Sequence, residues 1–171
     1  MNSTTQHKIF EGGCQCGKVR YQVTGEPLTL FACHCKDCQR QSSSAFGMAL
    51  WVRLGSAELL NGRLRDWVRI TPSGNQMLCQ FCEECGTRIF HRLLDQPDVL
   101  SIKPGTLDDT KNLSPVGHLW VSGVQHWLSP AIQGVCFAGN PDHGFNQLFQ
   151  AWLLQQNNES SIAGNSANEG S

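Results

Sequence analysis

The sequence predicts a mainly β fold of short antiparallel sheets closed by a C-terminal amphipathic helix. Two observations carry this: short runs that alternate apolar with polar side chains between frequent Gly and Pro, and one late segment whose apolar residues recur at helical spacing. A third, the grouping of cysteines, predicts that metal ions hold the sheets together.

In chain order, Val19, Tyr21 and Val23 alternate with polar neighbours, as do Met48, Leu50 and Val52, and then Ile89 and its neighbours in TRIFHRLL. A period of two places such residues on one face of a strand. Turns at NGRL and TPSGN join these runs, which favours stacked or folded antiparallel sheets over alternating βαβ units. After Pro130 the period changes. Phe145, Leu148, Phe149, Trp152 and Leu153 recur at helical spacing behind Asn140 and Pro141, and their apolar face suits either a sheet of the same domain or a dimer contact. Residues 1–11 form an N-terminal lead, 12–154 a single domain that includes the helix, and 155–171 a polar tail, QQNNESSIAGNSANEGS, too poor in apolar surface to fold.

The chain has 171 residues, with 13 Lys+Arg against 14 Asp+Glu and a net charge of -1. No basic run stands out, so nucleic acid is not an expected partner. The first ten residues, MNSTTQHKIF, lack the apolar centre of a signal peptide, and no segment approaches the roughly 18 apolar residues of a membrane span. A soluble cytoplasmic protein is expected, without membrane attachment. In a reducing compartment the nine cysteines then point to metal ligation or thiol chemistry rather than disulfides.

Those cysteines fall into groups: Cys14 and Cys16 as C-x-C, Cys33, Cys35 and Cys38 as C-x-C-x-x-C, Cys79, Cys82 and Cys85 at three-residue intervals, and Cys136 alone. Thiols one or two residues apart in a turn can face one centre about 2.3 Å from each sulfur, as tetrahedral zinc requires. Gly13, Gly17 and Gly86 beside them relieve backbone crowding and favour zinc knuckles over an iron-sulfur cluster. Pairing Cys14 and Cys16 with Cys82 and Cys85 gives a closed four-thiolate site. Cys33, Cys35 and Cys38 then form a second centre, whose fourth position is either open or filled by Cys79. In an extended QMLCQFC segment Cys79 and Cys82 face opposite ways, which favours Cys79 as a small buried residue. Cys136, beside Phe137, reads as core.

The ordered motifs GGCQCGKVRY, CHCKDCQRQSSSAF, FCEECGTRIF, GTLDD and HLWVSGVQHW resemble the glutathione-dependent formaldehyde-activating enzyme family, which includes centromere protein V. The resemblance runs from about Gly12 to Trp127. It implies a zinc-bearing β-tent with two zinc ions per chain. Cys14, Cys16, Cys82 and Cys85 would hold a structural zinc, and Cys33, Cys35 and Cys38 a catalytic zinc with an open position. The implied activity is that of a carbon-sulfur lyase joining glutathione, or another small-molecule thiol, to formaldehyde or a related carbonyl compound. The sequence departs from the family pattern at Ser43, where Gly is common and a side chain would narrow the site.

A lyase of this kind needs a proton donor, and His34, His91 and His118 are the candidates, with His118 in the HLW motif foremost. Asp108 and Asp109 suit a turn cap, Trp120 and Trp127 the core, and Arg40 the solvated surface or a glutathione carboxylate. The alternative is a non-catalytic zinc module binding glutathione or a protein partner. Association with chromatin or microtubules would call for basic extensions, and the tail, with Glu159 and Glu169, has none. A homo-oligomer is compatible with all of these.

Overall fold

The computed structural model describes residues 8–96, 98–141 and 144–166. Along these the chain forms β1 (Ile9–Gly13), β2 (Arg20–Thr24), β3 (Thr29–Cys33), α1 (Lys36–Ser42), β4 (Gly47–Arg53), β5 (Ala57–Asn61) and β6 (Leu64–Ile70). It continues with β7 (Gln76–Cys82), β8 (Arg88–Leu93), β9 (Val99–Ile102), β10 (Gly117–Leu119), β11 (Val135–Cys136) and α2 (Asn146–Ser166). Two compact units result. One takes the chain as far as Leu28 together with Met48–Leu113, and the other takes Thr29–Gly47 and the chain from Ser114 onward.

The first unit is the antiparallel part that the alternating runs predict. Strands β1, β2 and β5 pair in that order, and β4, β9, β8, β7 and β6 follow one another in a second antiparallel run. Tyr21 and Val23 of β2 are buried, and so are Leu50 and Val52 of β4 and Ile89 and Phe90 of β8. The Tyr21 ring meets the edge of Phe90 at 5.0 Å between centroids, which closes β2 onto β8. Burying each such side chain is worth about 1.5–3 kcal/mol. Gly12 permits this approach, because a Cβ there would come within 2.5 Å of the Tyr21 ring and the Thr106 carbonyl. At TPSGN the chain reverses between β6 and β7, with Thr71 N–H on the Asn75 carbonyl at 2.8 Å and Gly74 at φ +86°.

The second unit differs from the expected antiparallel pattern. Strand β10 lies between β3 and β11 and is parallel to both. All five residues of β3, TLFAC, are buried, so its sequence has no alternation to read. Helix α2 packs on this sheet. Thr29 Oγ1 donates to the Leu148 carbonyl at 3.1 Å, and the Phe31 and Phe145 rings lie 5.7 Å apart. Leu148 seats directly over Gly117, where a Cβ would come within 2.4 Å of its Cδ2. Leu148 and Trp152 are buried, whereas Leu153 is 55% exposed, so the apolar face is narrower than its spacing predicts. The helix also runs past Leu154 to Ser166, because extending an existing helix costs no new nucleation. The last five residues of the predicted tail, 167–171, lie outside the described residues.

Candidate metal centres

Two turns in the first unit each present a pair of thiols. In one, Gly17 N–H bonds the Cys14 carbonyl at 3.0 Å, and Val19 N–H donates to Cys14 Sγ at 3.2 Å. In the other, Gly86 N–H bonds the Cys82 carbonyl at 3.0 Å, and Cys85 Sγ lies 3.1 Å from Thr87 Oγ1. Gly17 and Gly86 have φ of +76° and +71°, the left-handed geometry that lets each chain curl around its sulfurs.

Their four sulfurs lie within 4.8 Å of one another, with Cys14 and Cys16 at 3.4 Å and Cys16 and Cys82 at 3.8 Å. Tetrahedral zinc thiolates have edges of about 3.8 Å, given zinc-sulfur bonds near 2.3 Å, so the donor set and its size fit the metal. None of the nine cysteines is in a disulfide. The Thr87 hydroxyl and N–H hold Cys85 below the ordinary thiol range.

The second cluster is built from consecutive pieces of the other unit. Cys33 ends β3, Cys35 is the N-cap of α1, and Cys38 lies in the first turn of that helix. Cys35 Sγ accepts the Cys38 N–H at 3.4 Å, an ordinary cap made with sulfur. Hydrogen bonds with the Cys33 and Cys38 thiols hold Cys35 low, and those with Cys35 and Cys38, followed by burial, push Cys33 up. The three sulfurs lie within 4.8 Å of one another, a donor set that can also hold a metal ion.

Among the described residues the second cluster gathers these three thiols and no other ligand. Cys79 belongs to the other unit. It is buried on β7, where the Arg88 guanidinium donates to its sulfur at 2.8 Å, so it is a hydrogen-bonded polar group as well as a small core residue. Cys136 is exposed, contrary to its expected place in the core, because β11 is a two-residue edge strand.

The three candidate histidines separate. His34 and His118 stack with centroids 5.3 Å apart, and His34 Nε2 lies 3.0 Å from His118 Nδ1. His118 also meets the Gln133 backbone. Burial holds both rings below the ordinary imidazole range. His91 belongs to the other unit, on β8.

Asp108 forms a bidentate pair with Arg20, and Asp109 alone caps a turn, accepting the Lys111 N–H at 3.1 Å. Arg40 is 79% exposed and lies 3.9 Å from Asp37. Trp120 is half-buried with its Nε1 on Asn140. Trp127 is 70% exposed rather than core, because its segment forms tight turns with no inward-facing side. Ser43 takes φ +50° as the C-cap of α1 and is exposed, a left-handed position that suits glycine.

Sequence reasoning missed Gln39. Its carboxamide is buried beneath the second cluster, on the His34 and Gly123 carbonyls, and glutamine in a polar helix segment carries no signal for such a role.

A model of the family described as glutathione-dependent formaldehyde-activating enzyme matches residues 9–123, which include all seven clustered cysteines. Among solved structures, the crystal structure of a Rhodobacter sphaeroides protein, a Northeast Structural Genomics target, is similar to this chain at 22% identity. It covers 60% of this chain and 91% of that chain, with a TM-score of 0.47.

Proposed function

We propose that this chain, which belongs to the glutathione-dependent formaldehyde-activating enzyme family, is a zinc-dependent carbon-sulfur lyase that forms or cleaves the adduct of glutathione, or another small thiol, with formaldehyde or a related carbonyl compound. The observation that carries this reading is the count of ligands. Four thiols gather in one unit and three in the other. The first set closes a tetrahedron and suits a structural ion; the second leaves one position for an incoming sulfur.

Zinc held by three thiolates would lower the pKa of that incoming thiol and keep it as thiolate near neutral pH. The protein's own groups set the stage. Cys33 and Cys35 are buried, which limits water around the cluster, and Cys38 is half-buried, which leaves a side for the substrate to enter. In the forward reaction the thiol gives its proton to solvent, the thiolate sulfur forms a bond to the carbonyl carbon, the carbon-oxygen double bond becomes single, and the oxygen takes a proton back from solvent. The reverse breaks the carbon-sulfur bond and returns that proton. His118, stacked on His34 and 3.0 Å from its Nε2, orients that ring in this reading. Proximity supplies most of the acceleration.

Magnetisation-exchange NMR between free glutathione and its hydroxymethyl adduct tests the reading. Exchange faster than in buffer with the wild-type protein, and not with Cys35→Ser, is the expected result. Equal rates with both proteins would remove the lyase reading for this thiol and favour a binding module.

A further inference from the structure

The side chain of Gln39 is almost fully buried. Its Nε2 donates one hydrogen to the His34 carbonyl at 2.8 Å and the other to the Gly123 carbonyl at 2.9 Å. Its Oε1 accepts from Lys36 Nζ at 3.1 Å. A primary amide has two donors on one nitrogen and one acceptor oxygen, so every polar atom of this side chain is used.

The carbonyl that Gln39 grips belongs to the residue between Cys33 and Cys35. Gly123 closes on it from a second direction, since a Cβ there would come within 2.7 Å of the His34 oxygen. The His34 ring is fixed in turn by His118 at 3.0 Å. The Gln39 N–H bonds the Cys35 carbonyl at 3.0 Å, tying the same helix turn to the next thiol-bearing residue. Strand end, helix cap and first helical turn each supply one thiol, and this single carboxamide locks their junction.

We infer that Gln39 is a positioning residue that presets the Cys33, Cys35 and Cys38 sulfurs for metal by fixing the His34 peptide against the Gly123 turn. The inference rests on the reading of that cluster as a metal centre. Residues that orient metal ligands through hydrogen bonds commonly contribute ten- to a hundredfold in metal affinity. Glutamate in this position has the same shape, but its carboxylate would face two carbonyl oxygens with no hydrogen to give.

The test uses the full chain loaded with cobalt(II) in place of zinc, read by its d–d and sulfur-to-metal absorption and by chelator competition. Wild type, Gln39→Met, Gln39→Glu and Gly123→Ala are compared. The expected result is two bound ions in wild type and, in each variant, a ten- to a hundredfold loss of affinity with altered d–d bands at one site. The spectrum of the four-thiol site stays unchanged and reports that the fold is intact. Variants that bind both ions as wild type does overturn the role of Gln39 alone. A wild type that binds one ion overturns the metal reading of the cluster and the inference with it. Should the glutamine variants fail to fold, the glycine variant, which disturbs the same carbonyl from the other side, decides the matter by the same readout.

Discussion

The Arg88 guanidinium donates to the buried Cys79 sulfur at 2.8 Å, across the β7–β8 pair that ends in the first thiol cluster. Arg88 also lies 5.6 Å from the centroid of the Phe81 ring, so its charge is met by sulfur and by an aromatic face. Cys79 is therefore engaged within the packing of the first unit.

Cys79→Ala removes an acceptor from a buried cation, and the expected cost is about 1–3 kcal/mol in urea unfolding. Zinc content should remain two ions per chain. Loss of an ion would show that this thiol is a ligand after all.

His91 lies on β8, and burial, followed by the charges of Lys103, Arg88 and Arg69, holds it well below the ordinary imidazole range. In the unfolded chain the same ring takes a proton near pH 6.5. Its contribution to stability is therefore fully present above that pH and is lost as pH falls toward the lower folded value. Unfolding free energies of the zinc-loaded protein between pH 7.5 and 5.5 should fall more steeply for wild type than for His91→Gln. Parallel curves would contradict the assignment.

Ser43 occupies a left-handed backbone position at φ +50°, which costs a residue with a Cβ about 1–2 kcal/mol, while glycine loses roughly 0.5–1 kcal/mol more chain entropy on folding. Ser43→Gly should stabilise the protein by about 0.5–1 kcal/mol net and leave metal content unchanged. An unfolding midpoint equal to or below that of wild type would count against it.

The two clusters should respond differently to a single serine. Cys82→Ser opens the four-thiol site that joins the turn after β1 to the end of β7, and structural zinc of this kind carries on the order of 10 kcal/mol of folding free energy. That variant should lose its folded circular dichroism spectrum and Cys35→Ser should keep it. Equal collapse of both would show that the second centre is structural too.

Much of this was legible in the sequence where a local rule applied. Tyr21 and Val23 announce the buried face of β2, and the glycines after Cys16 and Cys85 announce the two knuckles. Other features rest on partners distant in the chain. Strand β3 is buried throughout, so no alternation marks it, and its parallel pairing with β10 joins segments more than eighty residues apart, from Phe31 to Gly117. Contacts made only on folding, such as His34 with His118 or Gln39 with Gly123, leave no trace in spacing. Residue type alone places Trp127 and Cys136 inside, whereas turns and a sheet edge put them outside.

The most direct test of the central claim is a count of zinc and bound thiol by native mass spectrometry, on wild type and Cys35→Ser, with and without glutathione. Two zinc ions and one glutathione are expected on wild type, and one zinc ion with no glutathione on Cys35→Ser. Two zinc ions on both proteins, or glutathione held equally by both, would contradict a three-thiol centre that takes its fourth sulfur from the substrate.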